Sequence, residues 1–186
     1  MSTKLAIIVG STRPGRIGLM VAEWFRERAV QNGKFEVELV DLADIDLPMY
    51  DEPRHPSLRQ YEHDHTKLWA KIVGAAESYV IVTPEYNHGP PPALVNALNY
   101  VYKEWNYKPA GFVSYGGVSG GLRAVQAEKL ILTTLKVVPI LEAVVVPLVQ
   151  QFITEGRFRG SELHEQAATT MLDELFRWAE TLKLLR

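Results

Sequence analysis

Short runs rich in Val, Ile and Phe alternate along this chain with longer segments of helical periodicity. The runs predict five β-strands, at residues 4–9, 35–40, 78–83, 111–114 and 137–146. The segments that follow them predict five helices, at residues 17–31, 61–76, 91–103, 121–135 and 161–185. Strands that alternate with helices form right-handed crossovers, so this order predicts an α/β fold with a parallel sheet covered by helices on both faces.

The length of the chain and the spacing of its apolar residues indicate its organisation. A chain of 186 residues can bury one sizeable α/β core, and we expect a single domain over residues 1–186. The long irregular connection at residues 42–66 is rich in proline and charge, and it is either a flap over a site or a surface excursion. In the last helical segment a stripe at spacings of three and four is expected to pack on the core: Leu163, Ala167, Met171, Leu175, Ala179 and Leu182.

Composition excludes several kinds of chemistry. The 20 Lys and Arg residues against 22 Asp and Glu give a net charge of −2, so we expect no nucleic-acid partner and no attraction to an anionic membrane. The absence of cysteine excludes disulfides, thiolate nucleophiles and iron–sulfur clusters. The first apolar run starts too early for a signal peptide, and no apolar stretch is long enough to span a membrane, so we expect a cytoplasmic protein.

The loop GSTRPGRIG, residues 10–18, follows the first predicted strand and precedes a helix. It agrees with the mononucleotide motif GxxxxGK[ST] at Gly10 and Gly15. Arg16 and Ile17 stand where that motif has its Lys and its magnesium-binding hydroxyl. The loop therefore disfavours a nucleoside triphosphatase.

The same loop differs from the dinucleotide motif GxGxxG. Thr12 takes the place of the middle glycine, although Asp41 at the end of the second strand keeps a dinucleotide-binding fold as an alternative. The remaining donors suit a terminal phosphate monoester: the hydroxyls of Ser11 and Thr12, the guanidinium groups of Arg13 and Arg16, and backbone N–H groups at a helix N-terminus. A plain β-to-α turn with solvated arginines is the other interpretation.

Two further loops follow the third and fourth predicted strands. TPEYNHGPPP, residues 83–92, is stiffened by proline, and Tyr86 could stack on a flat heterocycle while Glu85 and Asn87 supply polar contacts. SYGGVSGG, residues 114–121, has four glycines that allow a backbone to approach a ligand closely. Because open parallel sheets bind ligands at the carboxyl ends of their strands, the three loops predict a site for flavin mononucleotide (FMN).

Together, GSTRPGRIG, TPEYNHGPPPALVNALNY and SYGGVSGG resemble the NAD(P)H-dependent FMN reductases of the flavodoxin-like superfamily, over about residues 4–146. The resemblance implies a doubly wound five-stranded sheet in the order 2-1-3-4-5. It implies that the FMN phosphate is held by Ser11, Arg13, Arg16, Ile17 and Gly18. The isoalloxazine ring and ribityl chain would contact Pro84, Glu85, Tyr86 and Asn87. The other side of the ring would be closed by Ser114, Gly116 and Gly117.

The resemblance also implies an activity. The expected cofactor is FMN, the expected co-substrate is NADPH or NADH, and the expected reaction is ping-pong hydride transfer to a quinone, azo dye, flavin or metal oxyanion. Since the flavin carries the chemistry, no side chain is expected to act as a nucleophile or an essential base. Relatives of this kind imply a homodimer or homotetramer.

Three alternatives remain at this point. One is a flavodoxin-type electron carrier without its own NAD(P)H site, one is a dinucleotide-binding dehydrogenase that uses Asp41, and one is a domain that has lost its cofactor. We expect no metal site, because His55, His63 and His65 have the pattern of a solvated surface. The acidic residues at 41–46 are expected to form a solvated loop.

Overall fold

A parallel sheet forms the centre of the protein, whose computed structural model describes residues 2–186. Its strands are β1 (Thr3–Val9), β2 (Phe35–Asp41), β3 (Ser78–Pro84), β4 (Pro109–Tyr115) and β5 (Val138–Val146). The five strands pair in the order β2-β1-β3-β4-β5, and every pairing is parallel. This confirms the predicted flavodoxin-like fold and its strand order.

Six α-helices among residues 2–186 flank the sheet or connect its strands. They are α1 (Gly18–Asn32), α2 (Leu42–Ile45), α3 (Asp64–Ala75), α4 (Pro92–Tyr100), α5 (Leu122–Thr134) and α6 (Glu162–Leu182). A small antiparallel hairpin of β6 (Ile153–Thr154) and β7 (Arg157–Phe158) precedes α6. No helix among residues 2–186 is both long enough and apolar enough to cross a bilayer.

Two predicted helices are shorter than expected. The helix predicted at residues 61–76 begins at Asp64, because the Glu52 carboxylate accepts the backbone N–H groups of the two preceding residues at 2.9 and 3.1 Å and holds them outside the helix. The helix predicted at residues 91–103 ends at Tyr100, because the next residue, Val101, adopts extended backbone and buries its side chain in the core.

The two faces of the sheet bury separate apolar cores. Alternate residues of β1 point to opposite faces, so that Ile7 joins one core and Ile8 the other. Helices α1 and α6 cover the first face, and α3, α4 and α5 cover the second. Strands buried on both faces explain why β1 and β3 are nearly continuous apolar runs in the sequence.

The predicted apolar stripe of α6 is correct only from its second turn onward. Met171, Leu175, Ala179 and Leu182 are buried, but Leu163 is 75% exposed and Ala167 is half-buried. At the start of the helix, the His164 ring accepts the Ser161 backbone N–H at 3.0 Å and packs on Phe152, with ring centroids 4.8 Å apart. Since His164 faces the core, the preceding leucine faces solvent.

The long connection between β2 and α3 is held against α4. The Asn96 side chain donates to the Pro48 carbonyl at 2.7 Å and accepts the Tyr50 backbone N–H at 2.9 Å. The Tyr100 hydroxyl donates to the same Pro48 carbonyl at 2.9 Å. These hydrogen bonds hold the connection in a fixed position along α4.

We expect Leu175→Ala to lower the free energy of unfolding by about 2–5 kcal/mol, because the truncation leaves a cavity in the core. The matched variant Leu163→Ala removes an exposed leucine of the same helix and should change stability by less than about 0.5 kcal/mol. Chemical denaturation of both variants measures the difference. Equal losses would contradict the assignment of the buried face.

Candidate functional site

Three loops meet at the carboxyl edge of the sheet. The first loop (residues 10–17) follows β1, the second loop (residues 85–91) follows β3, and the third loop (residues 116–121) follows β4. These strands are neighbours in the sheet, and β2 and β3 lie on opposite sides of β1. The edge beside β1 is therefore the topological switch point, where ligands of open parallel sheets bind.

The first loop is packed closely against the end of β4. The buried Ser11 hydroxyl lies 3.1 Å from the Tyr115 hydroxyl. A Cβ atom on Gly18 would lie 2.4 Å from both of these oxygens, so only glycine fits there without displacing them. Burial raises the pKa of Tyr115 to about 12, despite the opposing hydrogen bond from Ser11, and the phenol stays neutral.

The two predicted phosphate-binding arginines have different surroundings. Arg16 forms an ion pair with Asp41, and its Nε is buried with no partner among residues 2–186. Asp41 also accepts the backbone N–H of Ala43 at 3.0 Å and thereby caps α2. Arg13 is exposed, and its guanidinium carbon lies 5.8 Å from the centroid of the Tyr86 ring.

Asp44 and Asp46 are exposed, as expected for a solvated acidic segment, but the geometry corrects that expectation at Asp41. Asp41 is buried and paired, and α2 occupies the segment directly after it. Both carboxylate oxygens of Asp41 have partners within the chain, which argues against the alternative in which Asp41 binds a dinucleotide ribose.

The second loop contains a tight reverse turn. Tyr86 and Gly89 exchange both backbone N–H to carbonyl hydrogen bonds, each at 2.9 Å. Between them Asn87 and His88 have φ angles of 50° and 67°, the left-handed values of a two-residue hairpin turn, a conformation that Asn tolerates well. The turn fixes the direction of the Tyr86 side chain.

Glu85 connects the second loop to α5. Its carboxylate accepts the Arg123 guanidinium at 2.6 Å and the Arg123 backbone N–H at 3.0 Å. Burial raises the pKa of Glu85, but hydrogen bonds from Arg123 and Ser119 outweigh that effect and lower it. The carboxylate of Glu85, a predicted flavin contact, is therefore bonded to Arg123, a residue that the sequence does not single out.

The third loop is held by backbone hydrogen bonds to the end of β5. The Gly116 N–H donates to the Val146 carbonyl at 3.2 Å, and the Leu148 N–H donates to the Gly117 carbonyl at 2.8 Å. Gly121 has a φ of 85°, and a Cβ there would lie 3.1 Å from the Tyr115 backbone. The Ser114 side chain is buried beneath the loop.

The described residues fit a phosphorylated planar ligand. Helix α1 begins at Gly18, and its N-cap residue Ile17 offers no side-chain hydrogen bond to the first turn. The first N–H groups of the helix are therefore available to an anion. The exposed guanidinium of Arg13 lies in the same loop, and a tyrosine ring stands beside it. This donor set and the closely approaching glycine backbones are what a flavin mononucleotide requires.

Comparison with known proteins shows the family of the chain. The family model described as NADPH-dependent FMN reductase matches residues 3–151. The chain belongs to this family. Proteins of the family use NAD(P)H and FMN and include quinone and azo reductases, so the protein is an oxidoreductase.

Individual relatives support the same assignment. The chain is 39% identical over 150 residues to an NAD(P)H-dependent FMN reductase of Schizosaccharomyces pombe, covering 79% of this chain and 75% of that protein. It is 32% identical over 126 residues to an NADPH azoreductase of a Bacillus species, covering 67% and 65% of the two chains.

A solved structure shares the fold. The flavoenzyme NAD(P)H:(acceptor) oxidoreductase FerB of Paracoccus denitrificans superposes with a TM-score of 0.74 at 21% identity, covering 96% of this chain and 98% of its own. The likeness extends over nearly the whole of both chains.

We expect Gly18→Ala to destabilise the protein by about 1–3 kcal/mol, because the added methyl group must displace Ser11 or Tyr115. Gly117→Ala is the matched control, since a Cβ at Gly117 meets no atom within 4 Å and its φ is not in the left-handed region. Thermal unfolding of both variants tests the close packing. A Gly18→Ala variant as stable as the control would contradict it.

Proposed function

We propose that this protein is an NAD(P)H-dependent FMN oxidoreductase with a ping-pong reaction, in which the oxidised nicotinamide leaves before the electron acceptor binds. Bound FMN would supply the chemistry, by accepting a hydride from NADPH or NADH and passing the electrons to the acceptor. The observation that carries the proposal is the convergence of the three loops at the switch point. The whole chain would act as one FMN-binding domain.

The proposed contacts follow the three loops. The FMN phosphate would be held by Ser11, Arg13, Arg16, Ile17 and Gly18. The isoalloxazine ring and ribityl chain would contact Pro84, Glu85, Tyr86 and Asn87. The other side of the ring would be closed by Ser114, Gly116 and Gly117.

The surroundings of these residues suggest a different role for each of them. Arg13 is exposed and can reach an anion directly, whereas Arg16 is bound to Asp41 and would act mainly through its charge. The Gly116 N–H is bound to Val146, so Gly117 and Asn87 would supply the donors that stabilise negative charge on the reduced ring. Glu85 would orient the second loop through its contacts with Arg123.

The acceptor in this proposal is a small molecule such as a quinone, an azo dye, a flavin or a metal oxyanion. The relatives named NADPH azoreductase and 2-hydroxy-1,4-benzoquinone reductase support the first two classes. A cytoplasmic location would suit the use of NAD(P)H.

Anaerobic reduction of the FMN-loaded protein tests the proposed function. NADPH or NADH alone should bleach the flavin absorbance, and initial rates at several acceptor concentrations should give parallel double-reciprocal lines. A flavin that either nicotinamide leaves oxidised, but that dithionite reduces, would favour the electron-carrier alternative. Intersecting lines would retain the reductase and contradict the ping-pong order.

We expect Arg13→Ala to weaken FMN binding roughly ten- to hundredfold, because one charge-assisted hydrogen bond to the phosphate is lost. Its melting temperature should not change, since Arg13 is exposed. Fluorescence titration of the apoprotein with FMN measures the affinity. Arg177→Ala on the exposed surface of α6, outside the three loops, is the matched control.

Replacement of Arg16, the second predicted phosphate-binding arginine, should also affect stability. Arg16→Ala leaves the buried Asp41 carboxylate without its cation, so it should lower stability by roughly 1–3 kcal/mol in addition to weakening FMN binding. If both single variants bind FMN with the affinity of the control, the phosphate assignment is wrong.

The proposal includes a homodimer or homotetramer. Exposed apolar side chains stand beside the third loop, with Val118 87% exposed and Leu122 and Leu148 nearly half exposed. Burial of this patch against a second copy would be favourable. Light scattering of the purified protein determines the number of chains, and a monomer at micromolar concentration would contradict this part of the proposal.

A further inference from the structure

A buried carboxyl group lies beneath the edge that carries the three loops. Glu128, in the second turn of α5, is fully buried, and its Oε1 lies 2.5 Å from the Oγ1 of Thr83 near the end of β3. Thr83 follows Tyr79 and Ile81 on the face of β3 that packs in the core with α4 and α5. A carboxyl group in such a core requires an explanation, because burial of an ionised carboxylate is costly.

The hydrogen bonds around Thr83 depend on the protonation of this carboxyl group. The Thr83 Oγ1 lies 2.5 Å from Glu128 and 3.2 Å from the carbonyl oxygen of Pro84. Carboxylate and carbonyl oxygens both accept, and a hydroxyl group has one hydrogen to donate. If Thr83 donates to Pro84, then Glu128 must be the donor to Thr83, which requires a protonated carboxyl group.

We propose that protonated Glu128 is a positioning residue of the FMN site: it donates to Thr83, which donates to the Pro84 carbonyl and so fixes the start of the second loop. When Glu128 loses its proton, the Thr83 hydrogen turns toward the carboxylate and the Pro84 carbonyl loses the hydrogen bond from Thr83. The link to FMN rests on the proposed role of Pro84 and the second loop in binding the flavin.

The surroundings of Glu128 favour the protonated form at neutral pH. Burial raises its pKa to about 8, and the hydrogen bond from Thr83 opposes that shift. No charged side chain among residues 2–186 contributes to the shift. The second carboxyl oxygen, Oε2, is buried without a partner in the described chain, as is the Oγ of Ser114, which pairs in register with Thr83.

The titratable groups on the elements around Glu128 do not supply a counter-charge. Tyr79 lies at the opposite end of β3, where it bonds Val73, and Tyr115 points to the other face of the sheet. On α4 the hydroxyl of Tyr100 bonds the long connection. The charged or titratable side chains on β3, the second loop and α4 are Tyr79, Glu85, Tyr86, His88 and Tyr100. Those on β4, α5 and β5, besides Glu128 itself, are Tyr115, Arg123, Lys129 and Glu142.

The first experiment tests protonation without FMN. The infrared spectrum of the apoprotein at pH 7 should contain a carbonyl band of a protonated carboxylic acid, which Glu128→Gln removes and the exposed-residue control Glu23→Gln retains. The band should titrate with a midpoint near pH 8. Thr83→Val should move that midpoint upward, because the hydroxyl group stabilises the carboxylate. Absence of the band at pH 7 in the wild-type protein would overturn the proposal.

The second experiment tests the coupling to the FMN site. Glutamine keeps a donor at all pH values, so we expect the ratio of the wild-type FMN Kd to the Glu128→Gln Kd to rise about tenfold between pH 7 and pH 9. A constant ratio would overturn the positioning role. Should Glu128→Gln fail to fold, the ratio of the FMN Kd of the wild type to that of Thr83→Val provides the same comparison.

The two experiments separate this inference from the proposed function. If FMN fails to bind at any pH, the proposed function fails, while the infrared titration still decides whether Glu128 is protonated. If FMN binds and the nicotinamides reduce it, but neither ratio changes with pH, only the positioning role fails.

Discussion

The parallel pairing of β1 with a strand on each side determines where the rest of the site can lie. All seven residues of β1 pair with β2, and five of them also pair with β3, so that Val9 stands between Asp41 and Val82. The chain must then leave β1 at the point where β2 and β3 diverge. The first loop starts in this position, and the second and third loops reach the same edge because β3 and β4 continue the parallel register.

Two ion pairs hold the first and second loops at this edge of the sheet. The ion pair of Arg16 with Asp41 ties the end of the first loop to the end of β2, and Glu85 ties the second loop to the first turn of α5. Arg16 and Glu85, which the sequence predicts as FMN contacts, therefore also hold the loops in position. Arg13 is exposed and the start of α1 is uncapped, which suits our proposal that they bind the phosphate of the FMN that this family uses.

The sequence is sufficient to predict the strands and the three loops, because apolar period and glycine or proline position are local properties. The order of the strands follows instead from the resemblance to FMN reductases. It is not sufficient to pair Ser11 with Tyr115 or Glu85 with Arg123, since these contacts join segments far apart in the chain. Tyr115 lies in the motif SYGGVSGG, directly after Ser114. Because neighbouring residues of a strand point to opposite faces, this position is the sequence signal that places Tyr115 on the face of the sheet opposite Ser114. The apolar spacing predicts the wrong face for Leu163, because the cap formed by Ser161 and His164 sets the rotation of the first turn of α6.

The location of FMN is the central claim, and amide chemical shifts of ¹⁵N-labelled apoprotein test it most directly. On addition of FMN we expect the largest changes at residues 10–18, 84–89 and 114–121, on all three loops at once. The competing anion site is the groove between α1 and the β6–β7 hairpin, which is lined by Arg26, Arg28 and Arg157. Changes centred on that groove, with the three loops unaffected, would contradict the account.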